Sequence, residues 1–208
     1  MGVVQTAYAN GSSTRYIERS LRLQVVCTPT GVKHLHHAAT RFDIGVYFES
    51  NGHGTVVFSH KALKALRKID PQTPSQRSAL EYLTCLTQLI NQTVGDALSD
   101  LLLVEALLAQ KAWTMPDWHN TYVDLPNLLL AMPVRDRNLF VSTDAERRLL
   151  EPKGLQDEID KLLAKYSDAR CFVRKSGTED VVRVYAEAMS RIECEDLINR
   201  VRNMINRV

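Results

Sequence analysis

A short polar loop between two apolar runs is the part of the sequence best suited to hold an anion. It lies in the stretch VRKSGTEDVVRVYAEA, residues 173–188. Small hydroxyls, backbone N–H groups and guanidinium groups are the donors that bind a phosphate dianion, and a glycine lets the backbone turn and come close. These residue types favour a phosphate-binding loop, and a plain polar hairpin turn with solvated arginines remains the alternative. The candidate donors are Arg174, Ser176, Gly177, Thr178 and Arg183.

A second polar loop, FESNGHGT, carries Glu49, Asn51 and His53 at every second position. In an extended segment, side chains two residues apart point the same way, so one face would present a carboxylate, an amide and an imidazole. The carboxylate accepts hydrogen bonds from neighbouring hydroxyls, and the amide both donates and accepts, which suits a polyhydroxylated ring. A glycine-rich hairpin turn explains the same spacing equally well.

Histidines cluster in a third stretch, TPTGVKHLHHAA, at positions 34, 36 and 37. The cluster has no carboxylate or cysteine partner at a zinc-like spacing, so we predict no metal site in this chain. The four cysteines are widely and irregularly spaced, without a CxxC pair. This pattern predicts buried, reduced thiols in a cytoplasmic protein.

Composition excludes several other classes of protein. The chain has 208 residues, of which 45% are hydrophobic, and a formal net charge of +2 with acids and bases mixed along it. No long basic block marks a nucleic-acid-binding surface. No apolar run approaches the roughly 20 residues that a membrane span needs. We therefore expect neither nucleic acid nor a membrane as a partner.

Periodicity predicts a mixed α/β domain over residues 1–120. Residues 1–69 read in the order β-α-β-α-β-β-α, with serine and threonine placed to cap the first helix, and strands alternating with helices favour a mixed or parallel sheet. The segments 76–94 and 95–112 have strong helical spacing, with Asp96 near the start of the second. We expect these two helices to pack on the sheet as an α-hairpin.

A smaller α+β domain is predicted for residues 121–208. The proline-containing segment 114–127 breaks the preceding pattern and suggests a hinge or domain boundary. Beyond it come a strand, a helix, two strands joined by the SGTE loop, and a closing amphipathic helix. The segment STDAER looks like a capped helical turn led by Ser142 or Thr143, with Glu146 closing a capping box.

The stretch FVRKSGTEDVVRVYAEA resembles the R-x-SGTE phosphate loop of the α-D-phosphohexomutases, and most closely the version found in phosphoacetylglucosamine mutases. The resemblance implies that the five candidate donors listed above contact phosphate. The family more often has proline where this chain has Lys175, a difference that adds a charge and removes no ligand.

The other polar stretches carry the same resemblance. FESNGHGT is similar to the family's sugar-binding loop, which implies sugar contacts for Glu49 and Asn51 and assistance to proton transfer for His53. The stretch TPTGVKHLHHAA resembles a loop that approaches the sugar phosphate, which implies substrate contacts for Lys33 and His34. The segments VGDALSD, VDLPN and STDAER fit the family as well.

The resemblance extends nearly end to end, but to only the last two of the family's four domains. The sequence contains neither a phosphoserine loop of the type Thr-Ala-Ser-His-Asn-Pro nor a Mg²⁺ loop of the type Asp-x-Asp-x-Asp. The resemblance implies a C-terminal half that binds N-acetylglucosamine phosphates and works with an N-terminal half that supplies phosphoserine and Mg²⁺. Alone, this half should bind and not turn over.

The family's reaction would interconvert N-acetylglucosamine 6-phosphate and 1-phosphate through a bisphosphate intermediate, within UDP-N-acetylglucosamine biosynthesis. Two alternatives stay open at this point. One is a non-catalytic phosphosugar-binding module. The other is a mutase for glucose or mannose phosphates, against which the asparagine of the FESNGHGT loop argues.

Overall fold

The structure is a computed structural model that describes every residue from 1 to 208. The chain is a mixed α/β protein whose contacts divide it into two compact units. The first unit contains Met1–Ala9 and Arg15–Val123, and the second contains Asn10–Thr14 and Asp124–Val208.

A four-stranded sheet organises the first unit, in the order β2-β1-β3-β4. β1 is parallel to both β2 and β3, whereas β3 and β4 form an antiparallel hairpin. Parallel neighbours require crossover connections, and helices supply both of them. The strands are β1 (Gly2–Thr6), β2 (Gln24–Thr28), β3 (Ile44–Phe48) and β4 (Gly54–Phe58).

The first 123 residues contain six helices, and α1 continues into a π-helical turn, Tyr16–Ser20. The predicted order β-α-β-α-β-β-α over residues 1–69 is confirmed. α2 covers the sheet, and its buried side chains join strand residues in a small core made of Val4, Leu35, Ala38, Ala39, Tyr47 and Val57. The helices are α1 (Gly11–Arg15), α2 (Val32–Ala39), α3 (His60–Leu66), α4 (Pro74–Leu89), α5 (Ala97–Lys111) and α6 (Met115–His119).

Of the two helices expected to pack on the sheet as an α-hairpin, α5 lies against β4, which agrees with the prediction, and α4 lies against α3. The pairing of α4 with α5 stays a prediction. Asp96 does cap α5, since its carboxylate accepts a hydrogen bond from the Leu98 N–H at 3.1 Å. Several apolar side chains of this region remain exposed, among them Leu98, Leu101 and Leu102. Helical spacing gave the helices correctly, but it carries no information about which neighbour each apolar face contacts.

The second unit is α+β and has the larger core. A three-stranded antiparallel sheet in the order β5-β9-β8 is covered by two amphipathic helices, which bury residues at helical spacing. None of the helices in the chain combines the length and the apolar character that a membrane crossing requires. The elements are β5 (Asn127–Pro133), β6 (Val141–Thr143), β7 (Arg148–Glu151), α7 (Leu155–Leu163), β8 (Arg170–Lys175), β9 (Val181–Glu187) and α8 (Arg191–Ile205).

The prediction of a capped helical turn at STDAER is wrong. Ser142 and Thr143 lie at the end of β6, and residues 144–147 form the turn of the β-hairpin between β6 and β7. Asp144, Ala145 and Glu146 all have positive φ values, of 50°, 54° and 68°. Three successive left-handed residues cannot begin a right-handed helix, so the capping-box pattern of residue types was misleading here.

Residues Asn10–Thr14 are fixed to the second unit by buried polar contacts. The Asn10 side chain donates to the Leu125 carbonyl at 2.9 Å and accepts from the Leu125 N–H at 3.1 Å. It also caps α1 by accepting from the Ser12 N–H, a role that the sequence suggested for serine or threonine. The Gly11 N–H donates to both carboxylate oxygens of Glu187, which is almost fully buried.

Candidate phosphate and sugar sites

Strands β8 and β9 bring the two predicted phosphate-binding arginines together. Arg174 and Arg183 are directly opposite each other in the antiparallel register. Opposed residues of an antiparallel pair project from the same face of the sheet, and like charges in that position destabilise the pair. The two arginines therefore repel each other across the hairpin, and a bound anion would offset this repulsion.

Two carboxylates lie near these arginines. Glu146 Oε1 is 3.4 Å from Arg174 Nη1, and Glu179 Oε2 is 3.6 Å from Arg183 Nη2. The Arg183 pair is the more exposed, with 63% of the Glu179 side chain accessible to solvent. An exposed pair at that distance contributes little free energy, so Glu179 can exchange for a stronger anion at low cost.

Ser176 organises the loop from within. It is buried, its N–H donates to the Val181 carbonyl at 2.9 Å, and its hydroxyl oxygen accepts from the Thr178 and Glu179 N–H groups, each at 3.4 Å. Hydrogen bonds of this length are weak. A serine hydroxyl that accepts twice retains its one proton for donation, so this group can both shape the loop and donate to an anion.

The backbone conformation and packing around position 177 do not require glycine. A Cβ atom added there would meet no heavy atom within 4 Å, and the residue does not have the positive φ that favours glycine. Gly177 and Thr178 are both exposed at the loop tip. Neither a positive φ nor crowding explains the glycine, and close approach of a bound group would account for it.

Sequence reasoning missed a further cation at this loop. Arg137 donates from Nη1 to the Glu179 carbonyl at 3.0 Å, and its Nε lies 3.8 Å from Asp180 Oδ1. Lys175 contacts Asn138, the residue that follows Arg137, with Lys175 Nζ 3.3 Å from Asn138 Oδ1. The polar segment that follows β5, residues 135–138, therefore supports the loop from one side. The basic residues of this segment are visible in the sequence. Their spacing does not link them to the SGTE loop, because Arg137 and Glu179 are 42 residues apart in the chain.

In the first unit, the segment from Glu49 to His53 is a closed turn, so the prediction of an extended segment is wrong. The Glu49 N–H donates to the His53 carbonyl at 2.8 Å, and the Gly52 N–H donates to the Glu49 carbonyl at 3.0 Å. The Asn51 side-chain oxygen accepts from the His53 N–H at 2.9 Å. The backbone therefore has the geometry of the glycine-rich hairpin turn, and a role of these residues in binding a sugar stays a prediction. The turn leaves Asn51 and His53 exposed.

Glu49 connects this turn to the beginning of α2. Its Oε1 accepts from the Gly31 N–H at 3.2 Å, and Gly31 immediately precedes the helix that carries Lys33 and His34. Lys33 and His34 are exposed in the first turn of α2. The structure therefore brings together the two stretches that the sequence predicts to bind a sugar.

Asp100 on α5 is a second residue that the sequence analysis did not single out. Burial, followed by the nearby Asp96 carboxylate, raises the pKa of Asp100, while His53 acts in the opposite direction. One of its carboxylate oxygens is buried without a hydrogen-bond partner. The histidine-rich stretch TPTGVKHLHHAA contains His36, whose Nδ1 lies 3.2 Å from the Tyr47 hydroxyl. No group of three or more histidine, cysteine or acidic side chains is arranged to hold a metal ion.

The two units match separate family models. Residues 1–113 match the model described as "Phosphoacetylglucosamine mutase AMG1, domain III", and residues 129–204 match "Phosphoglucomutase/phosphomannomutase, C-terminal domain". The first match covers more than half of the chain. The chain belongs to the phosphoacetylglucosamine mutase family.

Curated members of this family are similar over almost the whole chain. The phosphoacetylglucosamine mutase of Candida albicans is 56% identical over 205 residues, which cover 99% of this chain and 38% of that protein. The Homo sapiens protein of the same name is 52% identical over 202 residues, covering 97% and 37%. The chain thus spans a little more than a third of the length of the curated phosphoacetylglucosamine mutases it matches.

Solved structures of the family agree in fold. Aspergillus fumigatus N-acetylphosphoglucosamine mutase, in complex with GlcNAc-6P and magnesium, superposes with a TM-score of 0.96 at 61% identity, covering 98% of this chain and 41% of that one. An N-acetylglucosamine-phosphate mutase in its substrate complex gives a TM-score of 0.95 at 56% identity, covering 98% and 38%. Both units therefore have the fold of phosphoacetylglucosamine mutases.

Proposed function

We propose that the chain is the C-terminal part of a phosphoacetylglucosamine mutase, which interconverts N-acetylglucosamine 6-phosphate and N-acetylglucosamine 1-phosphate. The observation that carries this proposal is the opposed pair Arg174 and Arg183 at the SGTE loop, in a chain more than half identical to mutases of that name. The Aspergillus fumigatus relative was solved with GlcNAc-6P and with glucose 1,6-bisphosphate. The proposed context is UDP-N-acetylglucosamine biosynthesis in the cytoplasm.

In this proposal the second unit holds the phosphate that is not being transferred. The guanidinium groups of Arg174 and Arg183 neutralise the dianion, and Ser176 and Thr178 donate from their hydroxyls. Gly177 allows the phosphate oxygens to approach the loop backbone. Charge-assisted hydrogen bonds of this kind are the strongest that a surface loop can offer, which suits a ligand that must be held firmly at one end.

The first unit would contact the sugar. Glu49 accepts hydrogen bonds from ring hydroxyls, and the Asn51 amide group is exposed for donation because only its oxygen is used by the turn. Lys33 and His34 contribute from the start of α2. His53 is proposed to accept the proton of the hydroxyl that attacks phosphorus, a role suited to imidazole near neutral pH.

The phosphoryl donor and the metal ion are proposed to come from the N-terminal half of the enzyme. The Mg²⁺ that a relative binds has no ligand set among these side chains, so no step assigned to this chain passes through a metal ion. We therefore expect the 208-residue chain to bind N-acetylglucosamine phosphates without interconverting them.

The test is calorimetric titration of the chain with N-acetylglucosamine 6-phosphate, N-acetylglucosamine and glucose 6-phosphate. The proposal requires the first ligand to bind at least tenfold more tightly than the second, because the phosphate contacts supply most of the affinity. Equal affinity for the two would refute the role assigned to the SGTE loop. Tighter binding of glucose 6-phosphate would favour a different hexose specificity.

A coupled assay of the same chain, with and without an N-terminal half from a family member, separates the enzyme from a non-catalytic binding module. Activity that appears only on mixing supports the mutase. Binding without activity in either case supports the module, and activity of the chain alone contradicts the expected absence of turnover.

A further inference from the structure

The turn between β6 and β7 brings a carboxylate to the phosphate loop. Glu146 Oε1 lies 3.4 Å from Arg174 Nη1, and both side chains are largely enclosed, with 20% and 15% of their surfaces exposed. β6 and β7 both pack against β8, the strand that carries Arg174. The pair is therefore less screened by solvent than an ordinary surface ion pair.

The backbone of this turn is unusual in a way that concerns Glu146 directly. Asp144, Ala145 and Glu146 are all left-handed, although none is glycine. Arg147 clamps the conformation, with Nη2 2.6 Å from Asp144 Oδ1 and Nε donating to the Asp144 carbonyl at 3.1 Å. Left-handed conformations of non-glycine residues cost free energy and persist where the surroundings impose them, most often at functional sites.

We propose that Glu146 is a positioning residue for Arg174 in phosphate binding, an inference that rests on the proposed function of the SGTE loop. An arginine has five N–H donors in one plane, so a contact at Nη1 is compatible with other donors of the same group reaching an anion. Holding the guanidinium in place before the ligand arrives removes part of the rotamer entropy that binding would otherwise cost.

The same carboxylate also repels an incoming anion, and the two effects can be separated by substitution. Glu146→Gln keeps an oxygen that can accept from Arg174 but removes the negative charge. Glu146→Ala removes both. If orientation dominates, the glutamine variant binds phosphate within about threefold of the parent, or more tightly, whereas the alanine variant binds at least tenfold more weakly.

The first experiment titrates the parent chain and both variants with inorganic phosphate and with N-acetylglucosamine 6-phosphate. Glu195→Ala is the matched control, because it removes an exposed acid that is paired with Arg191 on α8. An alanine variant that binds as tightly as the parent, or more tightly, overturns the proposal. In the Arg174→Ala background, Glu146→Ala should change the affinity by less than twofold, and an undiminished tenfold loss there would mean that Glu146 acts by another route.

The second experiment needs no ligand. Nitrogen-15 relaxation of the Arg174 Nε–H group, identified by its loss in Arg174→Ala, reports how ordered the guanidinium is. It should be ordered in the parent and in Glu146→Gln, and mobile in Glu146→Ala. Equal order in all three overturns the positioning role. A parent chain that binds no phosphate would instead contradict the proposed function, and this measurement would still decide the role of Glu146.

Discussion

Arg174 and Arg183 oppose each other across β8 and β9, so that two full positive charges share one face of a three-stranded sheet. Removing one of them relieves repulsion in the free protein while depriving a bound dianion of a charged donor. Removing one of these arginines should therefore weaken phosphate binding without lowering the stability of the free protein, whereas removing an arginine with a structural role would lower stability.

We expect Arg183→Ala to weaken binding of N-acetylglucosamine 6-phosphate by roughly 10- to 100-fold, since a hydrogen bond to a charged group contributes about 1.5–3 kcal/mol. The melting temperature should stay the same or rise. Calorimetric titration and thermal denaturation measure the two effects. Arg191→Ala changes the net charge equally, on an exposed helical pair away from the loop, and should alter neither quantity. A similar loss of affinity in both variants would mean that only overall charge matters.

Gly177→Ala should leave the fold intact and impair binding. The added methyl group meets nothing within 4 Å and requires no strained backbone, so the free energy of unfolding should change by less than about 0.5 kcal/mol. The methyl group would nevertheless fill the space through which a phosphate approaches the loop. We expect at least a tenfold loss of affinity for inorganic phosphate, measured by titration.

Gly52→Ala provides the contrasting control. Gly52 also has open space around it, but its φ is +85°, so a side chain there is strained. This variant should lose about 1 kcal/mol of stability while binding inorganic phosphate normally. If Gly177→Ala destabilises the chain as much as Gly52→Ala does and keeps its phosphate affinity, the glycine serves the turn and not a ligand.

The cysteines should differ sharply in reactivity. Burial raises the pKa of Cys171 to about 12 and also raises the pKa of Cys194, whereas Cys85 is exposed on α4. Because the thiolate is the reactive form, Cys85 should be modified rapidly by a thiol reagent at pH 8, and Cys171 and Cys194 only after unfolding. Peptide mass spectrometry after timed alkylation measures this, and rapid native labelling of Cys171 would contradict the packing of β8.

The same shift has a consequence for stability in alkaline solution. The folded-state pKa of Cys171 lies above the ordinary value of about 9, so the folded chain holds this proton more tightly than the unfolded chain does. Its contribution to stability is fully present below pH 9 and is lost as the pH rises from about 9 towards 12. Cys171→Ala should therefore flatten the decline in the free energy of unfolding over that range, as measured by denaturant titration at several pH values.

The sequence was most informative where local periodicity determines structure. The alternation over residues 1–69, the strands beside the SGTE loop and the closing helix all follow from spacing, because each buries one face. The prediction of a helical turn at STDAER failed because helix caps and tight hairpin turns use the same residue types. The hairpin packs against β8, a contact between distant parts of the chain that a local pattern does not contain.

In the candidate sites, too, local patterns identified residues but not the contacts between distant parts of the chain. Motif resemblance pointed to Arg174 and Arg183. It could not reveal that they are directly opposite each other, which depends on strand register, or that Glu146 contacts Arg174 from a distant hairpin. The extended-loop argument for Glu49, Asn51 and His53 was wrong, since backbone hydrogen bonds close that segment into a turn. Their roles in sugar binding remain predictions.

Substitution of Glu49 tests those roles apart from the phosphate loop. Glu49→Ala removes the acceptor proposed for ring hydroxyls and also the bond to the Gly31 N–H, so we expect about 1 kcal/mol of lost stability and at least a tenfold weaker affinity for N-acetylglucosamine. Affinity for inorganic phosphate should not change. Chemical-shift titration suits the weak binding expected of the unphosphorylated sugar. Glu49→Gln separates the two effects, because its side-chain oxygen can keep the Gly31 contact while a neutral acceptor holds hydroxyls less strongly. A variant that loses phosphate affinity but keeps sugar affinity would reverse the assignment of the two loops.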